Sequence, residues 1–256
     1  MISPSVLTGK SLEEVGSLQV WEGNRLTPLN SLFQLEGDLA NDPKEQTVVV
    51  EGDLSKARRI GRKMSAGKIV VRGAAGLLLG EEMSGGSITV DGEAGSWVGA
   101  RMKGGSIEVK GDVGDLVGAP ARGSTRGMEG GEILVHGDTG SQLGCYMLNG
   151  LIRVKGSVGA FAGVHMQGGE ILVEGGSAGR LGAQMVGGRI ILLGRTTSVL
   201  PSFVIQEIRP TTRVGKDKFE GPFYYFEGDV AEDSWKGRLF ISAAKNPHLK
   251  FLEDHL

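Results

Sequence analysis

The chain has little cysteine, little net charge and no long hydrophobic run, and each shortage removes a class of protein. One cysteine in 256 residues, Cys145, excludes a disulfide framework and any zinc or iron–sulfur cluster built from this chain alone. Lys and Arg number 28 against 30 Asp and Glu, a formal charge of −2, so no net basic field draws the chain to nucleic acid or an anionic membrane. No apolar run approaches the ~18 residues of a membrane-spanning helix. The start, MISPSVLTGKSLEE, lacks a basic-then-apolar leader, and the expected location is the cytoplasm. Phosphate-binding glycine motifs are missing too: neither GxGxxG nor GxxxxGK[ST] occurs, which removes the two common nucleotide sites.

Glycine, by contrast, is abundant, with 44 residues, and it is periodic. The segments VRGAAGLLLGEEMSGGSITV (71–90), VDGEAGSWVGARMKGGSIEV (90–109) and VKGSVGAFAGVHMQGGEILV (154–173) fit one template, GxxGxxxGxxMxGGxIxV. Its lead glycines are Gly52, Gly73, Gly92, Gly111, Gly137, Gly156, Gly175 and Gly194, in steps of 21, 19, 19, 26, 19, 19 and 19 residues. A constant step of this size means stacked structural units, and it organises the 256 residues as one elongated domain with terminal additions.

The columns of the template name the unit. Ile69, Ile88, Ile107, Ile133, Ile152, Ile171 and Ile190 share one position, and Val71, Val90, Val109, Val135, Val154, Val173 and Leu192 share the position two residues on. A period of two with β-branched residues is strand chemistry. Between them stand Thr89, Glu108, Arg153 and their equivalents, read as a mostly polar outward column. Met64, Met83, Met102, Met128, Met147, Met166 and Met185 form a further inward ladder, beside the column of Leu79, Val98, Val117, Leu143, Ala162 and Leu181. Helical repeats are excluded by the glycines, each of which costs a helix interior on the order of 1 kcal/mol. The expectation is an all-β fold: a right-handed parallel β-helix, a single-stranded solenoid of about seven coils of 19 residues, with glycine at corners that need positive φ or close backbone approach.

Residues 1–45 are expected to cap one end, with a short helix at Ser11–Val15 and strand-like pieces at Leu18–Trp21 and Leu32–Leu35. Residues 46–200 form the β-helix, and 201–256 a C-terminal cap and docking arm rich in aromatic side chains. The first coil carries Lys56, Arg58, Arg59, Arg62 and Lys63, a basic cluster that reads as a solvated edge or as a dock for an acidic partner or ligand. The fourth unit holds seven extra residues, in APARGSTRG (119–127), that must loop out sideways because the template resumes in register at Gly130 and Gly131. Loops on a rigid scaffold are where contacts are made, so its two charged residues, Arg122 and Arg126, join Arg58 and Arg59 as candidate partner or ligand contacts.

No catalytic, cofactor-binding or metal-ligating set emerges from the columns. His136 and His165 fall in outward columns and are expected to be solvated, and no histidine pair has metal-ligand spacing. Cys145 occupies a column of small residues, which is the setting of a structural thiol, and the methionines read as core filler. Asp112, Asp115 and Asp138 stand at glycine corners, where aspartate commonly serves local turns.

The GxxGxxxG coil with its MxGGxIxV continuation, over roughly residues 46–195, resembles the glycine-rich β-helical domain at the C-terminus of the glutamate synthase large chain. It looks closer to the C-subunit of tungsten or molybdenum formylmethanofuran dehydrogenase and to the matching component of the bacterial formyltransferase/hydrolase complex. The insertion ending RGMEGG (126–131) lies where those proteins are also extended, and the short N-terminal cap fits them as well. What the resemblance implies is a non-catalytic scaffold within a larger assembly. In that family carbon dioxide is reduced to formate at a tungsto- or molybdopterin on one catalytic partner, served by iron–sulfur clusters, and formate is joined to methanofuran at a binuclear metal site on a second, amidohydrolase-like partner. Three alternatives stay open: the hydrolytic complex that releases formate, a glutamate synthase-like module, and an autonomous carbohydrate-acting β-helix, which would need carboxylates clustered on one flank.

Overall fold

The computed structural model describes residues 2–256. At the N-terminus two short helices, α1 (Pro4–Leu7) and α2 (Leu12–Gly16), precede a hairpin of β1 (Gln19–Glu22) and β2 (Arg25–Pro28). Helix α2 starts at a capping box: the Ser11 hydroxyl accepts the Glu14 N–H at 3.2 Å and the Glu14 carboxylate accepts the Ser11 N–H at 2.7 Å. Leu7, Val15 and Leu29 bury a small core of their own there. The segment Leu32–Leu35, expected as a strand piece, is irregular, because it finds no strand to pair with.

The solenoid follows as eight parallel strands: β3 (Thr47–Glu51), β4 (Lys68–Arg72), β5 (Ser87–Val90), β6 (Ser106–Val109), β7 (Glu132–Val135), β8 (Leu151–Val154), β9 (Glu170–Val173) and β10 (Arg189–Leu192). Each pairs with the next in the register of the template columns, Ile88 with Ile107 and Val90 with Val109 for example. A second parallel ladder of single bridges runs Leu54, Ala75, Ala94, Val113, Thr139, Val158, Ser177 and Thr196. One coil thus sends inward Ile88, Val90, Ala94, Val98 and Met102, all buried. The coils number eight where about seven are expected from the lead glycines, since β3 lies ahead of Gly52.

The methionines are held by the glycines of the neighbouring coil. A Cβ placed on Gly105 would stand 2.7 Å from the Met83 methyl carbon, and one on Gly131 equally close to that of Met102. The same contact recurs for Met147 over Gly169 and Met166 over Gly188. Every methionine of the column is fully buried. The repeated Met-x-Gly-Gly is therefore a through-space pair: a long unbranched side chain reaches across one coil and its methyl fills the hollow left where the next coil lacks a side chain. Lead glycines answer to close approach instead; a Cβ on Gly194 would fall on the carbonyl of Gly175.

Glycine does not hold the left-handed corners alone, as the sequence leads one to expect. Leu78, Trp97, Leu116, Gln142, Phe161 and Arg180 have φ between 57° and 65°, and Glu82, Arg101, Tyr146, His165 and Gln184 between 51° and 58°. Such a conformation costs a non-glycine residue about 1–3 kcal/mol. It is offset by hydrogen bonds between coils. Trp97 N–H donates forward to Asp115 at 2.9 Å, whereas Gly99 N–H donates back to Leu79 at 2.8 Å. Alternating the backbone hand sends successive N–H groups to opposite neighbours, so every coil is stitched on both sides.

After β10 the template is lost but the winding is not. β13 (Gly237–Ser242) pairs in parallel with β10 and adds one more rung, with Gly237 under Met185. β12 (Asp217–Gly228) and β11 (Val204–Val214) then extend the sheet in antiparallel sense. The bent β11–β12 hairpin folds its tip back over the solenoid, where Val214, Phe223, Tyr225 and Phe240 bury the outward residues Leu172 and Ile191. Arg153 pairs with Asp217, and the Gly215 N–H donates to Glu170 at 3.0 Å. Residues 201–256, expected to divide between cap and docking arm, thus spend the hairpin tip on the chain's own sheet. The outward column is correspondingly less polar than Thr89, Glu108 and Arg153 imply, since Leu134, Leu172 and Ile191 share it.

The last coil is tied to the tail by Asp229, which is buried and accepts the N–H groups of Gln184 at 2.9 Å and Ala231 at 3.1 Å. Burial pushes this carboxyl up, and hydrogen bonds from Ser202, Gln184 and Ala231 outweigh it, so it titrates below the ordinary aspartate value. No helix among the described residues is long and apolar enough to cross a membrane.

Two outcomes follow for stability. Met83→Ala and Gly105→Ala each destabilise in urea unfolding, the first by about 2–5 kcal/mol. The double variant loses less than the sum, because the alanine methyl enters space that the shortened side chain vacates. A depressed folded-state pKa means that Asp229 stabilises above the unfolded value of about 3.9 and loses that contribution as pH falls through the lower, folded one. Asp229→Asn is therefore less stable at neutral pH, and its unfolding midpoint changes less than that of the parent chain between about pH 4 and pH 2.

Candidate docking flanks

The coils present three flanks, and each has its own chemistry. On the sheet flank the C-terminal half is covered by the hairpin, and the open half carries Val70, Thr89 and Glu108. Hydrogen bonds from Lys110 first and His136 second hold the Glu108 carboxyl below the usual glutamate range. His136 Nε2 lies 2.8 Å from Glu108 Oε1, and His165 stacks on Tyr146 with ring centres 4.4 Å apart. Both histidines are half-buried and partnered rather than simply solvated.

A second flank, at the lead glycines, bears an aspartate ladder. Asp112 Oδ1 accepts the Asp138 N–H, Asp115 Oδ1 the Ser141 N–H and Asp138 Oδ1 the Ser157 N–H, each at 2.7 Å. These aspartates bond to the next coil, 19 or 26 residues on, and do not make the local turns expected of them. The period places these residues side by side, since each follows the same glycine of its coil, but it does not show that the carboxylate turns to the neighbouring N–H instead of its own turn.

The third flank is made by the left-handed residues, and it changes along its length. At the N-terminal coils Arg59 and Arg62 meet the buried Glu81 at 2.8 and 3.0 Å, and Glu82 takes Arg101 at 2.8 Å and Lys63 at 3.5 Å. Most of the basic cluster is thereby neutralised within the chain. Arg58 is exposed and stands outside the ion pairs found among the described residues. Further along, the flank turns apolar: Ala119, Cys145, Val164 and Ala183 are buried beneath Trp97, Leu116, Tyr146 and Phe161. Burial pushes the Cys145 thiol up to about 11.

The insertion rises from this apolar stretch. The Met128 N–H donates to Gly118 at 2.7 Å, closing the coil across the seven-residue excess and turning 119–127 outward. Arg122 stands over the Trp97 ring, 5.8 Å from its centre, and Arg180 over Phe161 at 5.0 Å. Arg126 reaches Glu129 at 3.3 Å. Of the four candidate arginines, Arg122 and Arg126 share the insertion, while Arg58 and Arg59 lie at the first coil. Among the described residues no three His, Cys, Asp or Glu side chains converge as metal ligands.

Fold and flanks together define a capped, glycine-rich parallel β-helix with one aromatic, arginine-bearing side. No family model matches the sequence. The chain is 55% identical, over 97% of its length and 92% of the relative's, to the C-subunit of tungsten-containing formylmethanofuran dehydrogenase 2 from Methanothermobacter thermautotrophicus. A local match to the C-subunit of molybdenum-containing formylmethanofuran dehydrogenase 1 from Methanosarcina barkeri, 40% identical over 77 residues, spans 30% of this chain and 26% of that protein. Among solved structures it is similar to a chain of the formyltransferase/hydrolase complex from Methylorubrum extorquens, determined with methylofuran. That likeness has a TM-score of 0.82 at 30% identity and covers 94% of this chain and 93% of the other. The chain belongs to the formylmethanofuran dehydrogenase C-subunit family.

A thiol with so high a pKa is almost wholly protonated at neutral pH and is shielded besides. Iodoacetamide at pH 8 is expected to leave Cys145 unmodified in the folded chain and to alkylate it fully in denaturant, as intact-mass measurement will show.

Proposed function

We infer that this chain is the scaffold subunit of a cytoplasmic formylmethanofuran dehydrogenase complex, in which carbon dioxide is reduced to formate and fixed on methanofuran. The pterin, the iron–sulfur clusters and the binuclear metal site belong, in this reading, to two catalytic partners, one pterin-containing and one amidohydrolase-like. The observation that carries it is the third flank: Trp97, Tyr146, Phe161, Arg122 and Arg180 lie together on a rigid ladder of coils. Tryptophan, tyrosine and arginine are the residues in which the energy of protein interfaces concentrates. Further support comes from how the chain spends its acids. Glu81, Glu82, Asp112, Asp115 and Asp138 are each held by a cation or a backbone N–H of a neighbouring coil, which is what a rigid frame requires.

A second reading, the matching component of a complex that releases formate without redox chemistry, is favoured by the 0.82 likeness to a chain of the formyltransferase/hydrolase complex. Co-purification separates them, since a pterin-bearing partner belongs to the first alone.

Trp97→Ala and Arg122→Ala are expected to weaken assembly with the partner subunits at least tenfold while the isolated chain keeps its circular dichroism. Pull-down titration with the tagged chain measures this. Unchanged assembly for both variants, or turnover by the isolated chain, would remove the reading.

A further inference from the structure

A free sheet edge remains at the N-terminal end of the solenoid. Strand β3 has β4 on one side and, among the described strands, none on the other. Two flanking bonds reveal which of its backbone groups are unused. The Lys68 N–H donates to Gln46 at 2.9 Å, and the Gly52 N–H donates to Arg72 at 3.2 Å. Because a parallel strand directs alternate residues to alternate sides, Gln46, Val48, Val50 and Gly52 face β4. Thr47, Val49 and Glu51 therefore hold their N–H and C=O groups toward the open edge. The Thr47 carbonyl is taken by the Gln46 side chain at 3.1 Å, which leaves Val49 and Glu51 to offer a donor and an acceptor each, about 6.6 Å apart along the strand.

Beside that edge runs a groove of about 610 Å³. It is lined by β3, by Leu7, Val15 and Leu29 of the N-terminal core, and by the irregular Leu32–Glu36 segment. Leu32 is 43% exposed and Val49 46% exposed, in a chain whose comparable positions in later coils are paired on both sides. The lining includes Glu36, which stands outside the ion pairs found among the described residues, and Glu51, which is paired with Arg72 at 2.6 Å, and no lysine, arginine or histidine.

The geometry points to a β-strand addition site: an extended segment of a partner subunit, apolar on alternate residues and basic at its flank, lies in the groove and pairs with Val49 and Glu51 of β3. The backbone groups select an extended chain, the leucine and valine side chains select alternating apolar residues, and the Glu36 carboxylate selects positive charge at the flank. The site is at the opposite end of the solenoid from the β11–β12 hairpin, which fills the corresponding place beside β13. The chain's own hairpin thus occupies the place beside the last rung, β13, whereas the place beside the first rung, β3, holds no strand among those described. This inference rests on the reading of the chain as one component of a complex.

Hydrogen–deuterium exchange read by mass spectrometry tests it, on peptides covering residues 46–52 in the isolated full-length chain and in the assembled complex. The Val49 and Glu51 amides are expected to exchange freely in the isolated chain and at least tenfold more slowly in the complex. Val49→Lys, whose side chain points outward and leaves the core untouched, is expected to abolish that protection and weaken assembly, whereas Val49→Thr retains both. A complex that forms without slowing these amides overturns the site and leaves the scaffold reading standing. A chain that assembles with nothing overturns both. Protection that appears in the isolated chain and grows with its concentration shows a second copy in the groove, and overturns the partner segment.

Discussion

The contact of a methionine methyl with the bare backbone of a glycine one coil away governs this structure. It works only if the coils keep one length, since the pair is made between residues some 22 positions apart, Met83 with Gly105 or Met147 with Gly169. A side chain added at the glycine collides, and a shorter one at the methionine leaves a void. Neither partner can drift alone. The same requirement explains how the fourth unit tolerates seven additional residues: the Met128 N–H to Gly118 bond restores the coil before the methionine is reached, and the excess is expelled to the surface.

That regularity inside permits irregularity outside. The left-handed residues are a device with two effects: they send backbone hydrogen bonds alternately to both neighbours, and they aim large side chains away from the core. Trp97, Leu116, Phe161 and Tyr146 occupy such positions, so the chain displays aromatic rings on coils whose inward side chains are aliphatic residues and methionine. Charge is spent differently. Glu81, Glu82 and the aspartate ladder hold coils to one another, while Arg122 stands above Trp97 on the surface of the insertion.

The two ends contrast in a way that bears on assembly. β13 continues the parallel winding although its sequence has lost the template, and β12 and β11 close that end with aromatic side chains. The N-terminal helices and hairpin bury their own small core but stop short of pairing with β3. Membership of a family whose members are components of a larger enzyme makes an incomplete end intelligible.

The period, the strand columns and the buried methionines were legible in the residue order, because each coil repeats one pattern and in-register stacking places like residues together. The cap's short helix, expected at Ser11–Val15 and found at Leu12–Gly16, was legible as well. Other features were not. The aspartates' partners and the Arg62 partner of Glu81 stand one repeat away, but a column of residues does not show which side chains turn to the neighbouring coil, and the cover that the hairpin lays over Leu172 and Ile191 joins residues that share no period. Residue order alone determined that this chain winds, at what period and with what inside. Only the tertiary structure decided what each flank shows to its surroundings, because that depends on how irregular segments fold back on a regular column, and no repeat encodes it.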